Sequence, residues 1–171
     1  MSDQPFSHLD DQGRAQMVDV SDKAITARWA KAEGQLHLSP STRDRFLAGD
    51  LGKGDGPAVT RIAAIQGAKE TGRLIPLCHP LGLDAVDVEI EGIDAGVRLT
   101  VTTRCHGRTG VEMEALTGVS VGLLAAYDMV KAVERSAQIT GVRLLGKGGG
   151  RSGEWLRDDP SEPPSPEGEG R

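Results

Sequence analysis

The sequence predicts an α+β fold in which a single sheet carries helices on one face. Three observations lead to this prediction. Segments with alternating apolar residues are interspersed with segments of helical spacing, two alternating segments are joined by a short turn, and the elements follow the order β-α-α-β-β-α-β. This order is typical of a ferredoxin-like, split β-α-β sheet.

The first three predicted elements are a strand and two helices. Residues 25–38 alternate in polarity and are predicted to form the strand. Ser39 and Pro40 are typical of an N-cap and a first helical residue, and they begin a short helix that spans 40–47. The second helix is predicted to span about 57–69, where apolar residues form a stripe.

The remaining predicted elements are a hairpin, a long helix and a last strand. Residues 86–90 and 97–101 alternate on either side of a turn at 94–96, which predicts the hairpin. Helical spacing then begins after Glu114 and continues to about 134, and a final alternating segment covers 139–145.

Four charged residues interrupt an otherwise apolar or small-residue stretch at 109–131, namely Glu112, Glu114, Asp128 and Lys131. Charged side chains are seldom buried unless they are paired or functional. An extended backbone at the start of the stretch would place Glu112 and Glu114 on one face. On the helix that follows, Glu114, Asp128 and Lys131 share one stripe. We therefore interpret these charges as a functional site rather than the solvated face of an amphipathic helix.

A second unusual segment, at 74–81, is apolar or cysteine apart from His79. Pro76 and Pro80 exclude a regular helix or a central strand, so we expect a buried loop. Such loops are uncommon because their backbone polar groups need partners, and they often carry function. His79 is a candidate acid/base group or phosphate ligand, since its charge changes near neutral pH. A core histidine bonded to a backbone carbonyl is the alternative.

Two segments rich in glycine and basic residues, 49–56 and 146–153, are predicted to be loops that bind phosphate. Glycine lets a backbone approach an oxyanion closely, and Lys53 and Lys147 supply positive charge. An ordinary flexible turn is the alternative for either segment. A nearby near-match to a Walker A loop has Gly148 where serine or threonine is required, which excludes a P-loop ATPase.

Together these segments resemble the cyclic pyranopterin monophosphate synthase family, the MoaC-type proteins of molybdenum cofactor biosynthesis. The resemblance runs from 17–21 through 74–81 and 109–117 to 149–153, which is nearly the whole chain apart from its tails. It implies the same ferredoxin-like fold.

The resemblance also implies which residues form the site. The catalytic positions correspond to Asp128, Lys131 and Lys53, and the substrate-binding positions correspond to Asp19, Arg28, Cys78, His79, Glu112, Met113, Glu114 and Lys147. The chain departs from the family pattern at Leu51 and Gly52, where many relatives carry histidines, and at Gly148, where serine is common. These departures concern phosphate contacts and leave the reaction class unchanged.

The implied activity is that of a phosphorus–oxygen lyase. Such an enzyme converts 3′,8-cyclo-7,8-dihydroguanosine 5′-triphosphate to cyclic pyranopterin monophosphate and diphosphate, with no redox step and no cofactor. Cations would hold the triphosphate, and a carboxylate–lysine pair would transfer protons. We expect Lys131, held by Asp128, to be the general acid/base. Because Asp128 raises the pKa of a nearby lysine, desolvation or another cation must oppose it for Lys131 to titrate near neutrality.

Length and composition predict a cytoplasmic enzyme with one domain. The chain has 171 residues, and we assign 17–156 to a single catalytic domain between a flexible segment at 1–16 and a disordered tail at 157–171. No stretch approaches the roughly twenty apolar residues of a membrane span, and the first residues do not resemble a signal peptide. The net charge of −5 and the aromatic content of 3 % argue against a nucleic-acid partner.

Two alternatives to this enzyme come from other classes of protein. Cys78–His79 and Cys105–His106 form two Cys-His pairs, but the spacing typical of zinc sites is absent, so we predict no metal site. The main alternative is a non-catalytic nucleotide-binding regulatory module that uses the same basic segments. A module of this kind would not need carboxylates that repel a triphosphate.

We expect a homo-oligomer, because a sheet with helices on one face leaves the other face open, and a large apolar face is seldom left in water. The resemblance implies a homohexamer built as a trimer of dimers, with the site at a subunit boundary. One subunit would supply part of the phosphate contacts through Lys53 and Lys147, and its neighbour would supply Lys131.

Overall fold

The computed structural model describes residues 12–151 and 153–158. Its elements are β1 (Thr26–His37), α1 (Pro40–Leu47), α2 (Gly56–Lys69), α3 (Thr71–Leu74), β2 (Ala85–Ile93), β3 (Gly96–Gly107), α4 (Glu112–Val130), β4 (Gln138–Gly148) and β5 (Trp155–Leu156). Every predicted element is present, and only the short α3 and β5 were not predicted. Most of the segments predicted as tails, 1–16 and 157–171, lies outside the described residues.

The strands form one antiparallel sheet in the order β2-β3-β1-β4-β5. The central pair is β1 and β3, which run in register from Thr26 opposite Gly107 to His37 opposite Gly96. With β2 and β4 on either side of this pair, the first four strands have the order of a split β-α-β sheet. The ferredoxin-like prediction is therefore confirmed, and so is the hairpin formed by β2 and β3.

The core lies between one face of this sheet and the helices. Ala32 and Leu36 on β1 and Val101 on β3 are fully buried on that face. A Cβ atom on Gly34 would lie 2.7 Å from Leu123 of α4, so glycine at this position lets the helix approach the strand. The helices therefore pack on one face, as predicted.

The contact between α2 and α4 is lined by small residues. A Cβ atom on Gly67 of α2 would lie 2.6 Å from the Cβ atom of Val121. A Cβ atom on Gly122 of α4 would lie 3.0 Å from the Cβ atom of Ala64 and 2.5 Å from Leu99. Because no larger side chain fits at either glycine, the two helices are held closely against each other and against the sheet.

The two shorter helices begin near the predicted residues. Ser39 is the N-cap of α1, as predicted, and its hydroxyl donates to Glu134 at 2.7 Å. The N-cap of α2 is Asp55, which accepts a hydrogen bond from the Ala58 N–H at 2.9 Å, so this helix begins one residue before Pro57. This cap fixes the end of the glycine-rich segment at 49–56.

The structure corrects both ends of the predicted long helix. α4 begins at Glu112 and ends at Val130, so the extended backbone predicted at its start is wrong. Carboxylates are favoured at the positive N-terminus of a helix, and this preference outweighs the local alternation of apolar residues. Side chains two residues apart on a helix differ in direction by about 200°, so Glu112 and Glu114 point to different sides.

The sheet face opposite the helices is polar, which contradicts the expectation of an apolar open face. Glu33 is buried there and accepts a hydrogen bond from Arg143 at 2.8 Å. Arg98 lies 3.6 Å from Glu33 and 3.2 Å from Glu91. The register places further polar residues on the same face, among them Lys31, Gln35, Asp87, Glu89, Thr100 and Thr102. Self-association therefore does not have to cover this face.

Contrary to the sequence-based prediction, α4 is long and apolar enough to cross a membrane by length and composition. It is also the helix that covers the centre of the sheet, and more than half of the tested segment is buried in the fold. Its apolar character is therefore that of a core helix.

We predict that Gly67→Ala destabilises the protein. Alanine ordinarily stabilises a helix interior relative to glycine by about 1 kcal/mol, but overpacking against the Cβ atom of Val121 costs about 1–3 kcal/mol. The melting temperature should fall by several degrees in a thermal unfolding measurement. Gly52→Ala is the control, since no heavy atom lies within 4 Å of a Cβ there. A melting temperature equal to or above that of the wild type would contradict the role of Gly67.

Candidate active site

The predicted site residues fall into two groups at opposite ends of α4. Glu112, Met113 and Glu114 form its first turn, whereas Asp128 lies in its last turn and Lys131 is its C-cap. At 1.5 Å per residue, Glu114 and Asp128 are about 21 Å apart along the helix. Within one chain the residues therefore do not converge on a single point, although Glu114 and Asp128 share one stripe.

Lys53, Asp128 and Lys131 form the first group, which we call the lysine cluster. The Nζ atom of Lys53 lies 2.8 Å from Oδ2 of Asp128, and the Nζ atom of Lys131 lies 2.6 Å from Oδ1. Lys53 also donates to the backbone carbonyl of Asp128 at 2.9 Å. All three side chains are substantially exposed, so the predicted Asp128–Lys131 pair is present but is not buried.

The two ammonium groups change the ionisation of the lysine cluster. Hydrogen bonds from Lys131 and, to a smaller extent, from Lys53 lower the pKa of Asp128 to about 2. The same hydrogen bond to Asp128 raises the pKa of Lys131. In a single chain the attraction therefore prevails over desolvation, and Lys131 is a protonated donor at neutral pH.

The segment that carries Lys53 is anchored by one of the residues that depart from the family pattern. Leu51 is buried in the core and pairs with Gly54 in an isolated bridge. Gly49 has a φ of +70°, a conformation that glycine adopts without strain. Leu51 is therefore a hydrophobic anchor for the segment, and Lys53 is left at the exposed tip.

The second group surrounds the N-terminus of α4. The Nζ atom of Lys147 lies 3.0 Å from Oε1 of Glu112. Lys147 was predicted on a loop, but it lies on β4, where it pairs with Ala30 of β1 and Trp155 of β5. Because β4 is paired on both sides, it includes Gly146 and Gly148 of the segment 146–153. Only the residues after 148 form a loop.

Arg28 and Lys147 line a cleft of about 530 Å³, which we call the basic cleft. The Nε atom of Arg28 donates to the carbonyl of Gly107 at 3.0 Å, and Nη2 donates to the carbonyl of Arg108 at 3.2 Å. The cleft is also lined by Arg151, which lies in the segment 146–153 predicted to bind phosphate, and by Lys23 and Arg108, which the sequence analysis did not select. A single basic residue outside a recognisable motif has no sequence pattern that predicts a role in binding.

Five of the predicted substrate-binding residues line an adjoining cavity of about 320 Å³, namely Cys78, His79, Glu112, Met113 and Glu114. We call it the Glu114 cavity. The segment 75–84 that carries Cys78 and His79 has no regular secondary structure, as predicted, but it is only partly buried. The basic cleft and the Glu114 cavity share part of their lining, including Glu112 and Lys23.

Glu114 is the most buried charged residue of the predicted site, with 3 % of its surface exposed. Burial raises the pKa of Glu114 to about 7, and the negative charge of Glu112 acts in the same direction. Near neutral pH this carboxyl group therefore exists in both protonation states and is able to donate or accept a proton.

Asp19 lies outside the walls of both spaces. Its carboxylate accepts hydrogen bonds from the backbone N–H of Ser21 at 2.8 Å and from the hydroxyl of Ser21 at 2.6 Å. These bonds lower the pKa of Asp19, and His79 contributes in the same direction. Asp19 therefore shapes the segment beside His79 and stays ionised.

The structure also explains the glycine at position 148. A Cβ atom there would lie 2.1 Å from Nε1 of Trp29, whose ring packs over the strand at this point. Trp29 therefore occupies the space that a serine side chain would need.

A ferredoxin-like domain with carboxylates, a histidine and lysines gathered at the two ends of its longest helix is typical of an enzyme that acts on a small molecule. A model of the MoaC family matches residues 17–150, which include both groups of site residues. The chain belongs to the MoaC family.

Several relatives are similar over nearly their whole length. Cyclic pyranopterin monophosphate synthase from Chloroflexus aggregans is 52 % identical over 156 residues, covering 90 % of this chain and 94 % of that protein. Cyclic pyranopterin monophosphate synthase 3 from Mycobacterium bovis is 54 % identical over 163 residues, covering 94 % and 91 %. The synthase from Methylobacterium sp. is 54 % identical over 155 residues, covering 90 % and 97 %.

We predict that Glu114 makes the protein less stable as the pH rises from 5 to 8. The folded protein keeps the proton on Glu114 up to a pKa of about 7, whereas the unfolded chain releases it near 4.5. The folded state thus binds more protons in this window, and the free energy of unfolding falls by up to about 3 kcal/mol. The low pKa of Asp128 acts only at more acidic pH.

Urea unfolding at pH 5 and pH 8 measures this effect. Glu114→Gln should remove most of the decrease, because the amide is neutral at both pH values. Glu89→Gln, an exposed position on the polar sheet face, should retain the wild-type decrease. Equal pH dependence in the wild type and in Glu114→Gln would show that Glu114 titrates normally.

Proposed function

We propose that this protein is a cyclic pyranopterin monophosphate synthase. It converts 3′,8-cyclo-7,8-dihydroguanosine 5′-triphosphate to cyclic pyranopterin monophosphate and diphosphate in molybdenum cofactor biosynthesis. One observation carries the proposal: a titratable buried carboxyl group lies beside a cleft rich in cations, and a lysine–carboxylate cluster of the same chain supplies a proton donor. The names of the relatives support the same reaction.

In this proposal the lysine cluster is catalytic. Lys131 is the general acid, since its raised pKa keeps it protonated at neutral pH. Asp128 stays anionic and holds both ammonium groups in place. Lys53 completes the cluster, and its bond to the backbone of Asp128 ties it to the end of α4.

The other group binds the substrate, which spans the basic cleft and the Glu114 cavity. Glu112 lies where the two spaces meet. The remaining binding residues are Arg28 and Lys147 in the cleft, Cys78, His79, Met113 and Glu114 in the cavity, and Asp19, which supports the segment beside His79.

The enzyme is a phosphorus–oxygen lyase whose reaction involves no net redox change, so it needs no electron-carrying cofactor. Residues 17–156 form its single catalytic domain. We place it in the cytoplasm, where a reducing environment suits the two free cysteines Cys78 and Cys105.

One chain does not complete this site, because Asp128 of the lysine cluster and Glu114 of the binding group are about 21 Å apart along α4. A second copy closes the gap if the two α4 helices pack antiparallel. An exposed or half-buried stripe runs along α4 through Met113, Leu116, Ser120, Leu124 and Tyr127. These residues lie within a sector about 80° wide around the helix axis, and Lys131 lies in the same sector.

A twofold axis near Ser120, at the middle of α4, would place the Glu112 end of one helix beside the Lys131 end of the other. The symmetry would create two equivalent sites of this kind in each dimer. The pairing would bring the lysine cluster, with its two lysines and one carboxylate, beside Glu112 and Glu114 of the partner. Leu124, which is 60 % exposed, would be covered by the partner.

This pairing defines the dimer of the proposed homohexamer, a trimer of such dimers. It also revises the expected division of the site. Lys53 and Lys131 belong to the same cluster of one chain, so they come from one subunit, and Lys147 comes from its neighbour.

We predict that the protein releases diphosphate from the cyclised nucleotide without an added redox reagent. Lys131→Ala should lower kcat by about 10²–10⁴-fold, because it removes the proton donor while leaving the binding residues. Lys131→Arg should be comparably impaired, since a guanidinium keeps the charge but is a much weaker acid than an ammonium group and differs from it in shape. Diphosphate release, and pterin fluorescence after chemical oxidation of the product, measure turnover, and nucleotide binding is measured separately.

Two results would redirect this proposal. A folded protein that binds the nucleotide and leaves it intact over hours would support the non-catalytic nucleotide-binding module. A Lys131→Ala variant that retains more than about half of the wild-type rate would remove Lys131 from the mechanism.

We predict that inactive variants complement each other only across the two groups. After subunit exchange, Lys131→Ala mixed with Lys147→Ala should regain activity, because a mixed dimer contains one site with both contributions intact. Lys131→Ala mixed with Lys53→Ala is the matched control and should stay inactive, since both changes affect the same cluster. Equal rescue in both mixtures, or none after verified exchange, would contradict the antiparallel α4 dimer.

A further inference from the structure

The two lysines of the lysine cluster need more than their ion pairs to hold them in place. The side chain of Lys131 is 51 % exposed and that of Lys53 is 41 % exposed. Ion pairs between exposed long side chains stabilise a geometry only weakly, because the side chains lose rotamer freedom and water screens the charges. Lys131 is the C-cap of α4, and Lys53 lies between α1 and α2. Their positions therefore depend on the contacts of these two backbone segments.

The segment after Lys131 is held by the N-terminus of α1. Glu134 accepts hydrogen bonds from the backbone N–H of Ser39 at 2.9 Å and from the hydroxyl of Ser39 at 2.7 Å. The N–H groups of Val133 and Glu134 both donate to the carbonyl of Val130 at 2.9 Å. The carboxylate that bonds to Ser39 therefore lies on the turn that ends α4, three residues after Lys131.

This contact takes the place of an ordinary helix cap. In a capping box the N-cap hydroxyl bonds to the first turn of its helix, and a glutamate three residues later bonds back to the N-cap N–H. The third residue after Ser39 is Thr42, and the Ser39 hydroxyl bonds to Glu134 instead of the N–H groups of α1. Glu134 thus fills the role of the capping glutamate from 95 residues further along the chain.

The carboxyl group of Glu134 is ionised in this contact. Burial alone would raise the pKa of Glu134, but hydrogen bonds from Thr42 and Ser39 outweigh burial and lower it. Hydrogen bonds to an ionised acceptor are stronger than those between neutral groups. The contact between α1 and the turn after Lys131 is therefore charge-assisted at neutral pH.

The other end of α1 holds the segment that carries Lys53. The backbone N–H of Asp50 donates to the carbonyl of Arg45 at 2.9 Å, and Nε of Arg45 donates to the carbonyl of Asp50 at 3.3 Å. Leu51, two residues before Lys53, is buried in the same core as Phe46 of α1. One short helix therefore contacts both of the segments that supply a lysine to the cluster.

α1 is itself fixed against the sheet. Phe46 is fully buried, and Nη1 of Arg43 donates to the carbonyl of Ile93 at the end of β2 at 3.2 Å. Just before the helix, the N–H of Leu38 donates to the carbonyl of Ala95 at 3.0 Å. Because α1 cannot move freely, its two ends fix the distance between the segments that carry Lys53 and Lys131.

We propose that α1 positions the lysine cluster, with Ser39 and Glu134 as positioning residues that act through Lys131. The proposal rests on the proposed function for the catalytic role of Lys131. Ser39 and Glu134 lie outside the walls of the basic cleft and the Glu114 cavity, so their contact affects turnover and not substrate binding. Loss of the contact releases the turn at 131–134, and misplacement of a catalytic group by about 1 Å lowers turnover by up to about 10²-fold.

Steady-state kinetics of the intact oligomer test the positioning role. Ser39→Ala removes a hydroxyl and changes no charge, so kcat should fall by about tenfold while KM stays within about twofold. Ser39→Thr keeps the hydroxyl and should restore most of the wild-type kcat. Ser41→Ala removes a hydroxyl from the same turn of α1 and leaves both bonds from Ser39 to Glu134. It is the matched control and should keep kcat within about twofold.

A second control separates a loss of position from a loss of stability. Arg143→Gln removes an ion pair with the buried Glu33 on the polar sheet face, away from α1, and should lower the melting temperature. Measured well below that temperature, its kcat should stay within about twofold of the wild type. A fall in kcat in Ser39→Ala that only matches the fall in Arg143→Gln would overturn the positioning role.

Amide hydrogen exchange tests the same contact without substrate. The N–H of Lys131 donates to the carbonyl of Tyr127, and those of Val133 and Glu134 donate to the carbonyl of Val130. These three amides should exchange faster in Ser39→Ala than in the wild type, because the turn opens more often. Their exchange in Ser39→Thr and Ser41→Ala should stay close to that of the wild type.

The outcomes separate this proposal from the proposed function. Wild-type kcat in Ser39→Ala would overturn the positioning role and leave the enzyme standing. Unchanged exchange of the three amides in Ser39→Ala would overturn it whether or not the protein turns over the nucleotide. Faster exchange in Ser39→Ala, in a protein whose wild type leaves the nucleotide intact, would support the positioning of the cluster by α1 and overturn the proposed function.

Discussion

Close packing of α4 against α2 and the sheet is the constraint on which the rest of the structure depends. Gly67 and Gly122 leave no space for a β-carbon at this contact and Gly118 leaves little, so α4 cannot slide or rotate without collision. Both ends of α4 are thereby fixed, and both carry charged groups. The burial of Glu114 and the exposure of Asp128 follow from this one position of the helix.

The charges at the ends of α4 agree with the helix dipole. Glu112 and Glu114 lie in the first turn, where negative charge is favoured, and Lys53 and Lys131 lie at the carboxyl end, where positive charge is favoured. Most of the groups that the proposed chemistry needs therefore also stabilise the helix that presents them. Glu114 and Asp128 are the exceptions, because burial opposes the ionisation of Glu114 and Asp128 carries its negative charge in the last turn of the helix.

Local patterns predicted the elements and their order, since alternation and helical spacing depend only on neighbours in the sequence. They failed where the position of a residue depends on distances and contacts in the folded chain. Glu114 and Asp128 share a stripe but lie at opposite ends of α4, and Lys147 belongs to β4 because β1 and β5 pair with it. Lys23 and Arg108 reach the basic cleft from segments without a motif, so only the folded chain reveals them.

The strand order also governs how the chain folds during synthesis. β1 ends at His37, but its two neighbours, β3 and β4, begin only at Gly96 and Gln138. Until β4 has left the ribosome, β1 keeps one open edge, and an unpaired strand with an apolar face is prone to associate with other chains. Pairing at such long sequence separation is intrinsically slow. The nascent chain therefore carries an unpaired strand edge over a longer stretch of synthesis than a helical bundle of equal length would.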